Sequence, residues 1–193
     1  MSAWIFGSSS DYSIAVGKRL EDTLYWGRNN VDYTDFNSFI ENKELPDQIF
    51  INIGVEEKLS LGAFGNREDF VNMWIKFMDT YYFVYKLLQY IHLNAKHKVT
   101  VCLVTSSITV WPADYPEHVT YAILRSTTQQ TAFAFANENM SVILVSPNEL
   151  TPEKVDEYAI KTVEYLNAGV NHVGIVTLDS NTIHKYRNET TGF

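Results

Sequence analysis

Tyr121 and Arg125 are the residues of this sequence whose types and spacing most directly suggest chemistry. They lie four positions apart in "VTYAILRSTT", and on a helix that spacing places two side chains on one face. A phenol is a proton donor with an ordinary pKa of about 10, and a neighbouring cation lowers that pKa because it favours the phenolate. The pair is therefore either a proton donor with its cationic partner or the solvated edge of an ordinary helix in a protein with twelve tyrosines.

A second candidate is the serine-rich turn "FGSSSDYSIA", which joins an apolar run to a helical segment. Gly7 lies where the backbone must turn, and the serines supply small side chains and hydroxyl donors. A helix that follows a strand in this way offers unpaired N–H groups to a pyrophosphate. The turn lacks the second and third glycines of the usual dinucleotide fingerprint. It fits either a nucleotide loop or an ordinary turn.

Both candidates depend on elements that the apolar pattern predicts. Five short, nearly continuous apolar runs, typical of strands covered on both faces, occupy residues 3–6, 49–53, 99–105, 141–145 and 173–178. Stretches with helical spacing separate them, and the last begins with Thr151 as a plausible N-cap, Pro152 at the first helical position and Gly169 beyond the end. Alternation of strands and helices predicts βαβ units and a parallel sheet. We expect one domain over residues 1–193.

Two regions are harder to assign. In residues 24–36, "TLYWG" and "VDYTDF" each have the composition of a short strand, and no room remains for a full helix between them. The tail from Asn181 onward, "NTIHKYRNETTGF", is polar, and we expect it to be loose.

Composition excludes several classes of function. A net charge of −8 disfavours nucleic acid and anionic membranes as partners. The N-terminal residues lack the features of a signal peptide, so we expect a cytoplasmic protein. The single cysteine, Cys102, lies in an apolar run and reads as a buried hydrophobe. The five histidines show no metal-ligand spacing, and no nucleophile elbow or phosphate-loop lysine is present.

The turn after the first strand resembles that of the enoyl-acyl-carrier-protein reductases, within the short-chain dehydrogenase/reductase family. In that variant a glycine is followed six residues later by Ser-Ile-Ala, and Gly7 with Ser13, Ile14 and Ala15 matches it residue for residue. The segment "VDYTD" is similar to the family segment in which an aspartate and the next residue flank the adenine. Asp32 and Tyr33 occupy those positions here.

Later strand ends follow the same order. "FINIG" looks like the family's Asn-Ala-Gly strand end, and places Asn52 and Gly54 there. "VTSS" lies where the family carries its catalytic serine, at Ser107 or alternatively Ser106, and Tyr121 follows fourteen residues after Ser107. "VSPNEL" resembles the strand-end Pro-Gly beneath the nicotinamide, which Pro147 would supply.

The resemblance implies a Rossmann-type three-layer α/β sandwich with a mostly parallel sheet. This sheet would be shortened between the first helix and the third strand, where the chain is shorter than the family norm. It also implies a reductase for a carbonyl or enoyl group of a small molecule, with NAD or NADP as cofactor. Tyr121 would donate the proton and Ser107 would orient the carbonyl. Arg125 replaces the family's lysine, and would hold the cofactor ribose and supply charge without relaying a proton.

Three alternatives remain open. Asn52, Gly54 and Ser107 could merely satisfy and shape strand ends. The protein could be a non-catalytic nucleotide-binding or scaffold descendant of the family. The missing lysine and the short segment available for a substrate lid favour this alternative. Aromatic residues surround the helix in residues 68–93, so it is either fully enclosed or in contact with another subunit. The resemblance implies a homodimer or homotetramer through helices 68–93 and 118–138.

Overall fold

A computed structural model describes residues 1–27, 29–52, 67–104, 116–147, 151–169, 173–178 and 182–186. Within this part of the chain, five helices are present: α1 (Asp11–Gly17), α2 (Phe36–Ile40), α3 (Arg67–Asn94), α4 (Pro116–Phe135) and α5 (Pro152–Ala168). The strands of the same residues are β1 (Ala3–Phe6), β2 (Thr23–Trp26), β3 (Gln48–Ile51), β4 (Val99–Val104), β5 (Met140–Ser146), β6 (Val173–Thr177) and β7 (Thr182–Tyr186).

The strands form one sheet in the order β2-β1-β3-β4-β5-β6-β7. The first six are parallel, and β7 pairs antiparallel with β6. All residues of β1, β3 and β4 are buried, which explains why their sequences are continuously apolar rather than alternating. The prediction of a mostly parallel α/β sheet is confirmed.

Helices cover the sheet on both faces and create two cores. On one face, Trp4 and Phe6 of β1 pack in an aromatic cluster with α2 and α3. On the other face, Ile5 of β1 packs in a more aliphatic core with α1 and α5. Cys102 belongs to the second core and is fully buried, and burial raises the pKa of its thiol. The three-layer arrangement is therefore confirmed.

The sheet is shortened beside β2. In the doubly wound order 3-2-1-4-5-6, a third strand lies outside the second. Here β2 is the edge strand of the described sheet, and the chain turns back after Trp26. Asn30 covers that edge: its Nδ2 donates to the Tyr25 carbonyl at 2.8 Å, and its Oδ1 accepts from the Gly27 N–H at 2.7 Å. One amide side chain thus satisfies a carbonyl that a neighbouring strand would otherwise bond.

The structure corrects the expectation that "VDYTDF" forms a strand. The Asp32 carboxylate accepts hydrogen bonds from the Thr34 N–H at 2.9 Å and from the Thr34 hydroxyl at 2.7 Å. The Asp35 carboxylate accepts from the Ser38 N–H at 3.0 Å and begins α2. These local bonds favour a turn and a helix start over an extended strand. "TLYWG", by contrast, contains β2.

The prediction of a loose tail is wrong for its first residues, since Thr182–Tyr186 forms β7. An edge strand needs only a few β-forming residues and tolerates polar ones, so its sequence is hard to distinguish from that of a loop. The predicted ends of the last helix agree with α5. Pro152 begins it and Gly169 follows it, although the Thr151 side chain does not cap it.

Candidate functional site

The strand order reverses between β1 and β3, because the chain leaves β1 toward β2 on one side and returns to β3 on the other. The helix after β1 packs on the aliphatic face, whereas α2 and α3 pack on the aromatic face. In open α/β sheets a crevice forms outside the carboxyl ends of strands at such a switch point, and ligands bind there. The residues that end β1 and β3 therefore define the candidate site.

Gly7 and Asn52 meet closely at this point. Gly7 has a φ of +88°, and a Cβ atom built on it would lie 1.9 Å from the Asn52 carbonyl oxygen. The Asn52 N–H donates to the Phe6 carbonyl at 3.1 Å, which holds the two strand ends together. Glycine is thus required at position 7 both for its backbone conformation and for the space it leaves.

The Asn52 side chain joins the end of β3 to the turn and to the first helix. Its Nδ2 donates to the Ser10 Oγ and to the Ser13 Oγ, each at 3.1 Å. Ser13 is fully buried. Each serine hydroxyl accepts a bond from the amide and keeps its own proton for donation elsewhere. The predicted Gly7, Ser13 and Asn52 are thereby brought together, and Ser10 joins them.

Helix α1 begins directly at this cluster. Ser10 precedes the helix with an extended backbone, but its side chain makes no capping bond to the helix. The Ile14 N–H donates to the Ser10 carbonyl at 3.0 Å. Asp11, in the first turn, is exposed and places a carboxylate beside the positive end of the helix dipole. Sequence reasoning named Ile14 and overlooked Ser10 and Asp11, although a residue that precedes a helix start is recognisable from the pattern.

A second glycine, Gly27, lies next to the same turn. The N–H groups of Gly7 and Ser8 donate to the Trp26 carbonyl at 3.0 and 3.4 Å. A Cβ atom on Gly27 would lie 2.3 Å from the Ser8 Oγ, a side-chain atom that can rotate away. The end of β2 therefore borders the crevice, which the sequence analysis did not anticipate.

The predicted adenine-flanking pair follows β2 on the loop that Gly27 begins. Asp32 is exposed, and its bonds to Thr34 hold the pKa of its carboxyl below the ordinary value. The Tyr33 ring is half-buried and packs edge-on against Phe83, with the centroids 5.0 Å apart. The loop lines an open depression formed by residues 29–33.

Pro147 directly follows β5 at the same edge of the sheet and is buried. Helix α4 contains both Tyr121 and Arg125, one turn apart, but their side chains are outside the described part of the structure. Gly54 and Ser107 also lie outside the described residues. Five residues separate the end of β5 from the start of α5.

The described residues meet neither the requirements of a metal site nor those of a membrane-spanning helix. No group of three or more His, Cys, Asp or Glu residues among them is arranged to hold a metal ion. In the same ranges, every helix is too short or too polar to cross a bilayer.

No protein-family model matches this sequence, and no curated protein matches it significantly. Solved structures do match its fold. A carbonyl reductase from Pseudomonas aeruginosa PAO1 in complex with NADP is 14% identical, with a TM-score of 0.67 over 96% of this chain and 100% of that one. A short-chain dehydrogenase/reductase from Vibrio parahaemolyticus is 13% identical, with a TM-score of 0.64 over 91% and 99%.

A serine dehydrogenase from Escherichia coli is also similar, at 16% identity and a TM-score of 0.60 over 96% of this chain and 100% of that one. The similarity extends over nearly the whole length of each protein while sequence identity stays low. The chain therefore has the fold of the short-chain dehydrogenases/reductases, in a strongly diverged sequence.

Proposed function

We propose that the protein is an NAD(P)-dependent oxidoreductase that reduces a carbonyl or enoyl group of a small molecule. The observation that carries this proposal is the contact of Gly7 with Asn52 at the switch point of the sheet. There the Asn52 amide gathers the hydroxyls of Ser10 and Ser13 beside the start of α1. A glycine turn, hydroxyl donors and a helix start are the parts from which dinucleotide sites are built.

The residues at this site fit a dinucleotide in three respects. The absence of a side chain at Gly7 lets the ends of β1 and β3 close together, and the turn then leads into the first turn of α1, with Ser13 and Ile14, where a pyrophosphate would approach. Asp32 and Tyr33 would hold the adenine, with Asn52 and Gly54 supporting it from the end of β3. Pro147 would lie beneath the nicotinamide. The reduced nicotinamide, when bound, supplies the hydride.

Tyr121 would donate the proton that accompanies reduction, and Ser107 would orient the substrate oxygen by a hydrogen bond. Arg125 follows one helical turn after Tyr121. Its guanidinium would keep a positive charge near the phenol and could hydrogen-bond the ribose. It does not lose its proton near neutral pH, so it would not pass one on. General acid–base assistance is worth about 10²–10⁴-fold in rate, so an enzyme with an incomplete relay remains active at a reduced rate.

The alternative is a nucleotide-binding or scaffold protein without turnover. Two features favour it: arginine replaces the family's lysine at position 125, and only five residues between β5 and α5 are available for a substrate lid. In this alternative the fold and its cofactor crevice remain while the reaction is lost.

We also propose a homodimer or homotetramer through helices 68–93 and 118–138. Four apolar side chains of α3 are exposed at spacings of four, three and four residues: Val71 by 39%, Ile75 by 54%, Met78 by 48% and Tyr82 by 55%. This spacing forms one stripe along the helix, as in helices that pack against a partner. A helix whose outer face is in contact only with solvent would have polar side chains at these positions.

The decisive experiment titrates the purified protein with NADPH and with NADH and follows protein fluorescence. Saturable binding of either, with turnover on a panel of carbonyl compounds and enoyl thioesters, supports the oxidoreductase. Binding without turnover supports a nucleotide-binding protein, and no binding at about 1 mM (about −4.1 kcal/mol) overturns the oxidoreductase and leaves only the scaffold. Tyr121→Phe should then lower turnover by about 10²-fold or more while cofactor affinity is kept. Unchanged turnover would exclude Tyr121 as the proton donor.

A further inference from the structure

A concave surface lies at the edge of the sheet opposite the crevice. It has a volume of about 290 Å³ and is lined by Lys43, Glu44, Leu45, Tyr90, Asn94, Lys96 and His97. Residues 43–45 lead into the amino end of β3, and residues 94–97 join the end of α3 to the amino end of β4. We call this surface the amino-edge pocket. It shares no residue with the candidate cofactor site.

The amino-edge pocket is rich in basic groups although the protein carries a net charge of −8. Lys43, Lys96 and His97 face a single acidic lining residue, Glu44. Within the described ranges, no carboxylate is in ion-pair contact with either lysine. The Nε2 atom of His97 is 3.9 Å from an oxygen of Asp47. The lysine charges are therefore left to be balanced by solvent or by a ligand.

Lys43 is held in position by the aromatic cluster. Its ammonium lies over the ring of Phe39, 4.7 Å from the centroid, and 5.5 Å from the centroid of Trp26. It also donates to the Phe39 carbonyl. The side chain is half-buried, so its charge is less hydrated than that of a surface lysine. An ammonium has three donors, and those not used by the carbonyl are available to an anion.

The remaining walls are partly apolar. Leu45 and Tyr90 are half-buried, and both pack against the aromatic core. The Asn94 amide is fixed by donation to the Tyr90 carbonyl at 2.9 Å. Apolar walls with a few positioned polar groups are typical of small-molecule sites. We propose that the amino-edge pocket binds a small organic anion, whose phosphate or carboxylate group is held by Lys43 and Lys96.

The experiment uses the full ¹⁵N-labelled chain and two probes, citrate and glycerol 3-phosphate, at constant ionic strength maintained with NaCl. We expect saturable shifts of the amide signals of residues 43–45 and 94–97, with a dissociation constant of about 1 mM or tighter for at least one probe. The probe that binds more tightly identifies a carboxylate or a phosphate as the recognised group.

Three variants sharpen the test. Lys96→Gln should weaken binding about fivefold or more, and Glu44→Gln should tighten it about twofold to fivefold, because the nearby charge changes in opposite directions. Both residues are exposed, so neither change threatens the fold. Lys18→Gln, which removes an exposed lysine that follows α1 on the other face of the sheet, is the matched control and should leave affinity unchanged.

Shifts that fail to saturate with both probes up to about 20 mM would overturn the proposal. An affinity that Lys96→Gln leaves unchanged would do the same. Saturable shifts at Gly7 and Asn52 instead of the pocket residues would place anion binding in the crevice. That result would overturn the amino-edge pocket while leaving the proposed oxidoreductase intact.

Discussion

The ends of β1 and β2 lie side by side, and each is followed by a glycine and contacted by an asparagine, yet they are built for different purposes. After β1, Asn52 binds the hydroxyls of Ser13, which is fully buried, and of Ser10, which is half-buried and can donate its proton to a ligand. After β2, Asn30 binds the backbone of its own loop and covers the edge of the sheet. The first arrangement leaves the Ser10 hydroxyl for an outside partner, whereas in the second both polar atoms of the Asn30 amide are bonded to backbone groups. Asparagine thus belongs to a candidate binding site after β1 and covers an exposed sheet edge after β2.

The largest difference between the two strand ends should be the loss of stability when Gly7 or Gly27 is replaced by alanine. Gly7→Ala introduces a Cβ 1.9 Å from a backbone oxygen at a positive φ, so we expect it to lower the free energy of unfolding by about 3 kcal/mol or more. Gly27→Ala meets a serine hydroxyl that can rotate, and should cost about 1 kcal/mol. Urea unfolding of both variants measures the difference. Equal losses would show that the turn after β1 is not specially constrained.

The two asparagines should differ in what they support. Asn52→Ala removes the bridge between the serines, and we expect it to weaken NADPH affinity about tenfold, or about 1.4 kcal/mol. Asn30→Ala should leave that affinity within about twofold and lower the free energy of unfolding by about 1 kcal/mol, since a strand-edge carbonyl loses its partner. Fluorescence titration and urea unfolding provide the two readouts. A comparable affinity loss in both variants would contradict the assignment of the site to β1 and β3.

Asp11→Asn tests whether phosphates approach the start of α1. Removal of this exposed carboxylate should tighten NADPH binding about twofold to fivefold at low salt, because a negative charge there opposes an incoming pyrophosphate. The gain should shrink as salt is raised, since exposed charges are screened. Titrations at two salt concentrations check both statements. An unchanged affinity at low salt would place the cofactor phosphates elsewhere.

The smallest effect concerns pH and the loop after β2. A hydrogen bond from the Ser38 N–H holds the pKa of Asp35 below its ordinary value in the folded protein. Because the folded pKa is depressed, this stabilisation is present above the unfolded pKa of about 3.9 and is lost as pH falls through the folded value. Asp35→Asn should therefore be less stable than the wild type at pH 7 and approach it at about pH 3. A stability difference that does not change between these pH values would exclude this cap as the cause.

The sequence predicted the fold better than it predicted the site. Continuous apolar runs reveal buried parallel strands directly, so the strands in residues 3–6 and 99–105 were located within a residue. β7 was missed because a polar edge strand lacks that signal. Asn30 was missed because its partner is a backbone carbonyl, which no side-chain pattern encodes. Gly7, Ser13 and Asn52 were found by their order along the chain, but the contact that joins them spans about forty residues and appears only in the folded protein.

The buried thiol of Cys102 can report how often the centre of the sheet opens. It lies in the middle of β4 with no exposed surface, and its raised pKa leaves almost no thiolate at neutral pH. An alkylating reagent can therefore react only after the centre of the sheet has opened. Since this is the only cysteine in the sequence, the mass added over time reports that opening alone. The alkylation rate of Cys102 can therefore be measured in each variant above, and it reports how often the centre of the sheet opens in that variant.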